Sequence, residues 1–185
     1  MLLYQWRYEQ IVNKGLRNKE EKDRNIDIVT DNRGHKIVVI HDIIFRNKQN
    51  IAWTDVEQYL RRYVGEMYTI AENGEKVYIG KDLPDEYAHS NYSVGLKGAY
   101  AKVKANAVQV IPELVELSSN AKYSENMEDK HKLDAKHGWY RYDTRFAIAV
   151  YNSEGEVERY NVFHARMVIR HDADGKKYLY DMINI

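Results

Sequence analysis

Two long stretches near the C-terminus alternate so regularly that a chain carrying them has few folds open to it. In WYRYDTRFAIAVY (139–151), Tyr140, Tyr142, Thr144, Phe146, Ile148 and Val150 fall on one face, and Arg141, Asp143 and Arg145 on the other. In VERYNVFHARMVIRH (157–171), Phe163, Ala165, Met167 and Ile169 make an apolar face, while His164, Arg166 and Arg170 point away. Period-two alternation means a strand with one covered face. The turn formers Asn152-Ser153-Glu154-Gly155 and Asp172-Ala173-Asp174-Gly175 join these strands to each other and to KKYLYDMINI, so the pattern predicts a three- to four-stranded antiparallel meander. Tyr178 and Tyr180 join Tyr140 and Tyr142 on its inner face in this reading.

The elements upstream supply the cover. Leu96, Val103, Val110 and Leu117 repeat every seven residues, with Tyr100, Ala107 and Leu114 beside them, as an amphipathic helix that Pro112 kinks or restarts. Residues 26–80 read as ββαββ. IDIV and KIVVIHDIIF flank the turn Asp31-Asn32-Arg33-Gly34, a helix over Asp55–Val64 is capped by Thr54 and stopped by Gly65, and Asn73-Gly74 makes a second hairpin. KIVVI is apolar on both faces, which suits a covered strand. Tyr4, Tyr8, Ile11 and Val12 predict a short helix ending near Gly15, and the charged run Arg17–Asn25 a solvated linker. Residues 124–138 are polar and read as a short helix plus loop. The expected fold class is therefore α+β. An N-terminal helix and linker (1–25) precede a ββαββ region (26–80) and a helix-plus-meander region (81–185), the last two able to form one unit.

Composition narrows the function classes. With 28 Lys+Arg against 28 Asp+Glu the chain is formally neutral, neither a uniformly basic nucleic-acid binder nor an acidic DNA mimic. The absence of Cys excludes disulfides, thiolate metal sites and cysteine nucleophiles, and fits a cytoplasmic protein. No apolar run approaches a membrane span, and no Walker loop, dinucleotide fingerprint, HExxH or GxSxG is present. No cofactor or metal is expected.

Charge is nevertheless segregated. If both turns are four-residue loops, Asp143 faces His164, Arg141 faces Arg166, Arg166 faces Asp181 and Arg170 faces Lys177. Arginines bind phosphate bidentately, and a histidine near a carboxylate is suited to acid–base work near neutrality. The chemistry expected of this face is metal-independent RNA cleavage. His164, His131 and Asp143 are the catalytic candidates, and Arg141, Arg145, Arg166, Arg170 and Lys104 the phosphate-binding ones. His131 enters because Lys130-His131-Lys132 precedes the first meander strand and can fold over it. The competing account is a solvated face whose charges pair with one another, Arg166 with Asp181. An exposed basic turn at His131 and a Lys104 that snorkels over the core edge belong to the same account. His41-Asp42 reads as a satisfied core pair.

Several segments together resemble a domain of phages and integrated mobile elements. These are KIVVIHDIIF, VYIGKDLPDEYAHS, LKGAYAKVKANA, KHKLDAKHGWYRYDTRFA and ERYNVFHARMVIRHDADGKKYLYDMINI. The domain is the C-terminal accessory domain of Mu-type head-morphogenesis proteins and large polyvalent proteins, and the likeness covers roughly residues 26–185. It implies a toxin-like effector, some of which have been likened to the barnase–EndoU–colicin–RelE nuclease fold, but it transfers no catalytic motif. The partner implied is RNA or a host protein, including a nucleic-acid-bound defence complex. A non-catalytic, anti-CRISPR-like inhibitor is the alternative to an enzyme. The 16 Tyr against 3 Phe favour such an interface, because amphipathic aromatic rings suit protein contacts. A capsid-associated part is a third reading.

Overall fold

The computed structural model describes residues 4–7 and 11–14 as backbone and residues 24–46 and 50–185 in full. The chain is of the α+β class. Its strands are β1 (Tyr4–Arg7), β2 (Ile11–Lys14), β3 (Ile26–Asp31), β4 (Lys36–Ile40), β5 (Met67–Thr69), β6 (Lys76–Tyr78), β7 (Ser119–Ser124), β8 (Trp139–Tyr151), β9 (Val157–His171) and β10 (Lys177–Ile183). Its helices are α1 (Trp53–Leu60), α2 (Leu83–His89), α3 (Asn91–Gly95), α4 (Gly98–Ala107) and α5 (Ile111–Glu116), with short 3-10 turns after α1 and α4 and at Asp129–His131. Among the described residues, no helix is long and apolar enough to cross a membrane.

All ten strands join one curled sheet, in the order β2-β3-β4-β8-β9-β10-β6-β5, with β1 added to β9 and β7 to β8. The two hairpins of residues 26–80 lie on either side of the long C-terminal strands, so this region is built into the same sheet. The β4–β8 and β6–β10 pairs are parallel, which requires the crossovers that α1 and the α2–α5 segment supply.

One face of the sheet carries the main core. Tyr142, Phe146, Phe163, Met167 and Ile169 from β8 and β9 pack with Leu60, Tyr87, Val103, Val110 and Leu114 from the helical layer. Full burial of each such side chain is worth about 1.5–3 kcal/mol. The other face changes character partway along β8. Arg141, Asp143 and Arg145 give way to Ala147 and Ala149, which pack with Val29, Ile37, Val39, Tyr160 and Val162 in a second core. KIVVI is covered on both faces, Val38 and Ile40 by the main core and Ile37 and Val39 by the second. The pairings there run from β1 to β9, β8, β4, β3 and β2. Since β2 follows β1 in the chain, the sheet curls back on itself around this second core.

Several expectations are corrected. Residues 4–7 and 11–14 are strands, not a helix: pairing with the edges of β9 and β3 overrides a weak helical spacing. Gly15 and the run Arg17–Asn25, apart from Arg24 and Asn25, lie outside the described residues. The helix after Thr54 begins at Trp53 without a side-chain cap and gives way to a 3-10 turn after Leu60. The single amphipathic helix is two, α4 and α5, joined by a 3-10 turn over Val108–Val110, with α5 starting afresh around Pro112. Residues 119–124 form a strand on β8.

Register differs too. Tyr151 faces Val157 and a bulge follows, so Asp143 faces Arg166 and Arg145 faces His164. The net slip against the four-residue loop count is two residues, which preserves the faces. In the next hairpin Lys177 faces His171, a slip of one, and it exchanges the inner tyrosines for Leu179. A bulge at Tyr180 then turns Asp181 away from Arg166.

Candidate active site on the outer face of the sheet

The strand register sets the geometry. Asp143 lies opposite Arg166, and one row further Arg145 lies opposite His164, all four on the face away from the main core. Directly opposite side chains start about 5 Å apart and diagonal ones about 7–8 Å apart. The four make a two-by-two quartet. Asp143 and His164 occupy one diagonal, and Arg145 and Arg166 the other. Arg141 adds a third guanidinium next along β8 on the same face.

Neighbours position Asp143, Arg145 and Arg166. Arg166 Nε lies 3.6 Å from Asp143 Oδ1, an ion pair too long for a tight hydrogen bond. Asn120 Nδ2 donates to Asp143 Oδ2 at 3.3 Å, and Arg141 donates to Ser124 Oγ at 2.9 Å, so β7 holds both residues from the sheet edge. Arg145 Nη1 donates to Asp31 Oδ2 at 3.2 Å. Asp31 is buried, which by itself raises its pKa, but the His35 and Arg33 amide N–H groups and the Arg145 guanidinium outweigh that, leaving it below 3.8. Asp31 thereby fixes Arg145 as a charged, oriented group. His164 is exposed, and its pKa is lowered from 6.5 by desolvation and by Arg145, with Asp143 opposing.

Three of the expected site residues lie elsewhere. His131 sits beside Trp139, their ring centroids 5.1 Å apart, and its Nδ1 lies 3.1 Å from Asp134 Oδ2. Trp139 is six residues along β8 from Arg145, about 20 Å at 3.3 Å per residue. His131 and His164 therefore cannot serve one phosphate as an acid–base pair. Arg170 is buried among Asp82 at 3.1 Å, Asp134 at 3.3 Å and Asp172 at 3.9 Å, already neutralised and unavailable to an anion. Lys104 is completely buried, its Nζ 2.6 Å from both Asp181 Oδ1 and Ser93 Oγ. It ties α4 to β10 and cannot reach a surface phosphate. His41 is satisfied as a core group, but by Asp27 and Tyr151, each at 2.6 Å, while Asp42 pairs outward with Arg46.

Asn120, Ser124 and Asp134, and the pairing of the turn residue Asp31 with Arg145, escaped the sequence reading. Each acts through a residue distant in sequence, and SNAKYS has no alternation to mark it as a strand. Among the described residues one group could hold a metal ion, Glu57, Asp85 and His89, away from the quartet on α1 and α2. Comparison with protein-family models, with curated proteins and with solved structures finds no match to this chain.

Proposed function

We propose that the quartet is the active site of a metal-independent ribonuclease-like domain, which serves a phage or mobile element as an effector on RNA. The observation that carries this reading is the diagonal arrangement, with a carboxylate and an imidazole on one diagonal and two arginines on the other. A separation of about 7–8 Å leaves room for a phosphodiester between base and acid. Asp143 takes the proton of the ribose 2′-hydroxyl, O2′ bonds to phosphorus, the P–O5′ bond breaks, and His164 in its imidazolium form gives its proton to O5′. The products are a 2′,3′-cyclic phosphate and a 5′-hydroxyl. Arg145 and Arg166 stabilise the charge of the phosphorane, and Arg141 binds an adjacent phosphate.

The test is RNA cleavage in EDTA by the wild type and by Asp143→Asn and His164→Ala, with RNA binding measured alongside. General acid–base catalysis contributes about 10²–10⁴-fold, so each variant loses that much rate while binding stays within a few-fold. Equal cleavage by both variants refutes the assignment, as does cleavage that requires a divalent ion.

A second reading rests on a different observation. Tyr123, Met127 and Leu133 are 55%, 88% and 81% exposed on one stretch of chain, which suits a protein interface and hence a non-catalytic inhibitor of a host enzyme. It predicts stoichiometric capture of one host protein, lost on Met127→Asp with Leu133→Asp, and no RNA cleavage.

A further inference from the structure

The α1–α2 helix pair carries a set of side chains that the outer face does not use. Asp85 and His89 are four residues apart on α2 and so share one face of that helix. Glu57 comes from α1, which packs beside it. One donor atom from each lies within 4.8 Å of the other two.

Two features distinguish this group from an ordinary acidic surface. First, an imidazole is aimed into it: His89 Nε2 lies 2.9 Å from Glu57 Oε2. With bonds of about 2.1 Å, two ligand atoms at a right angle around one ion sit about 3.0 Å apart, and tetrahedral ones about 3.4 Å. The Glu57–His89 spacing is that of an ordinary hydrogen bond, and it is also short enough for both atoms to reach one cation in place of the shared proton. Second, Glu57 has an outer partner. Arg61, four residues on and at the start of the 3-10 turn after α1, donates to Oε1 and leaves Oε2 facing His89, as outer-shell groups orient metal-ligating carboxylates.

We propose that Glu57, Asp85 and His89 form a binding site for a borderline divalent transition ion, Zn²⁺ above all, with water completing the coordination. One imidazole and two carboxylates suit Zn²⁺, Co²⁺ or Mn²⁺, and the imidazole disfavours Mg²⁺ and Ca²⁺. The ion would staple α1 to α2, and since none of its ligands bonds to a quartet residue its role would be structural.

The experiment is titration of metal-free full-length protein with Co²⁺, read by visible absorption, followed by competition with Zn²⁺. One ion should bind per chain. Glu57→Gln, Asp85→Asn and His89→Ala should each weaken binding at least tenfold, and saturating Zn²⁺ should raise the Tm of the wild type but not of His89→Ala. Asp85 and His89 are exposed and Glu57 is half-buried, and far-UV circular dichroism checks that the variants fold. His137 and His171, with ring centroids 5.0 Å apart, offer a rival pair of imidazoles. Binding that survives His89→Ala and disappears in His137→Ala overturns the assignment, as does absence of binding at millimolar ion.

Discussion

Replacing Asp181 by Asn should destabilise the protein far more than the removal of one hydrogen bond. Lys104 is wholly buried, with Asp181 Oδ1 and Ser93 Oγ as its hydrogen-bond partners and the rings of Tyr87 and Tyr92 4.5 and 4.9 Å away. Asp181 in turn accepts from the Met182 amide at 2.7 Å and from Ser90 Oγ at 2.9 Å. Burial pushes Lys104 down and Asp181 up, and their mutual attraction opposes both shifts. Asp181→Asn preserves shape and an acceptor but leaves an ammonium group in the core without a counter-charge. Breaking a buried pair this way costs about 3–5 kcal/mol. At about 2–4 °C per kcal/mol for a chain of this size, Tm should fall by roughly 6–20 °C. Lys104→Met should cost a similar amount, yet Lys104→Met with Asp181→Asn should cost less than either alone, since no unpaired charge remains. Urea unfolding followed by circular dichroism, run as a double-mutant cycle, measures all three. A cost below about 0.5 kcal/mol for Asp181→Asn, or single costs that simply add, would mean that Lys104 and Asp181 do not depend on each other in the core.

Asp31→Asn should cost about 1.5–3 kcal/mol at pH 7, because it weakens charge-assisted hydrogen bonds from two amides and Arg145. The native carboxyl lies below its ordinary 3.8, so its stabilisation is complete above that value and lost as pH falls through the native pKa. Urea midpoints of wild type and variant should therefore converge toward pH 2. Gly138→Ala should destabilise by more than 1 kcal/mol in thermal unfolding: φ is +90° and an added Cβ would meet the Ser124 carbonyl oxygen at 2.6 Å and Tyr123 at 2.7 Å. If His164 is the acid, its lowered pKa confines its protonated form to the region below 6.5. The cleavage rate should fall as pH rises through that native pKa, and Arg145→Gln, which removes one cause of the lowering, should move this alkaline limb to higher pH.

The outer-face residues were legible because parity along β8 and β9 survives any slip of two. Arg141, Asp143, Arg145, His164 and Arg166 kept their face, though Asp143 acquired Arg166 and not His164 as its partner. Turn composition does not reveal a bulge, and two bulges decided which residues meet. Burial of a charge was illegible for a different reason. Nothing near Lys104 in the chain announces Asp181, and nothing near Arg170 announces Asp82, because such partners are brought together only by the finished fold. The strands β1 and β2 were hidden likewise: β1 owes its form to β9, about 150 residues later.

The proposed reaction of the quartet runs through the ribose 2′-hydroxyl, so a substrate without that group separates it from every other route to strand cleavage. An end-labelled RNA is incubated with the protein in EDTA beside the same strand carrying a single 2′-deoxy substitution at the cleaved nucleotide. A 2′,3′-cyclic phosphate product is expected from the first strand, and no cleavage at that position in the second. Cleavage of the deoxy-substituted strand at the same position and rate would rule out attack by O2′ and with it the roles of Asp143 and His164.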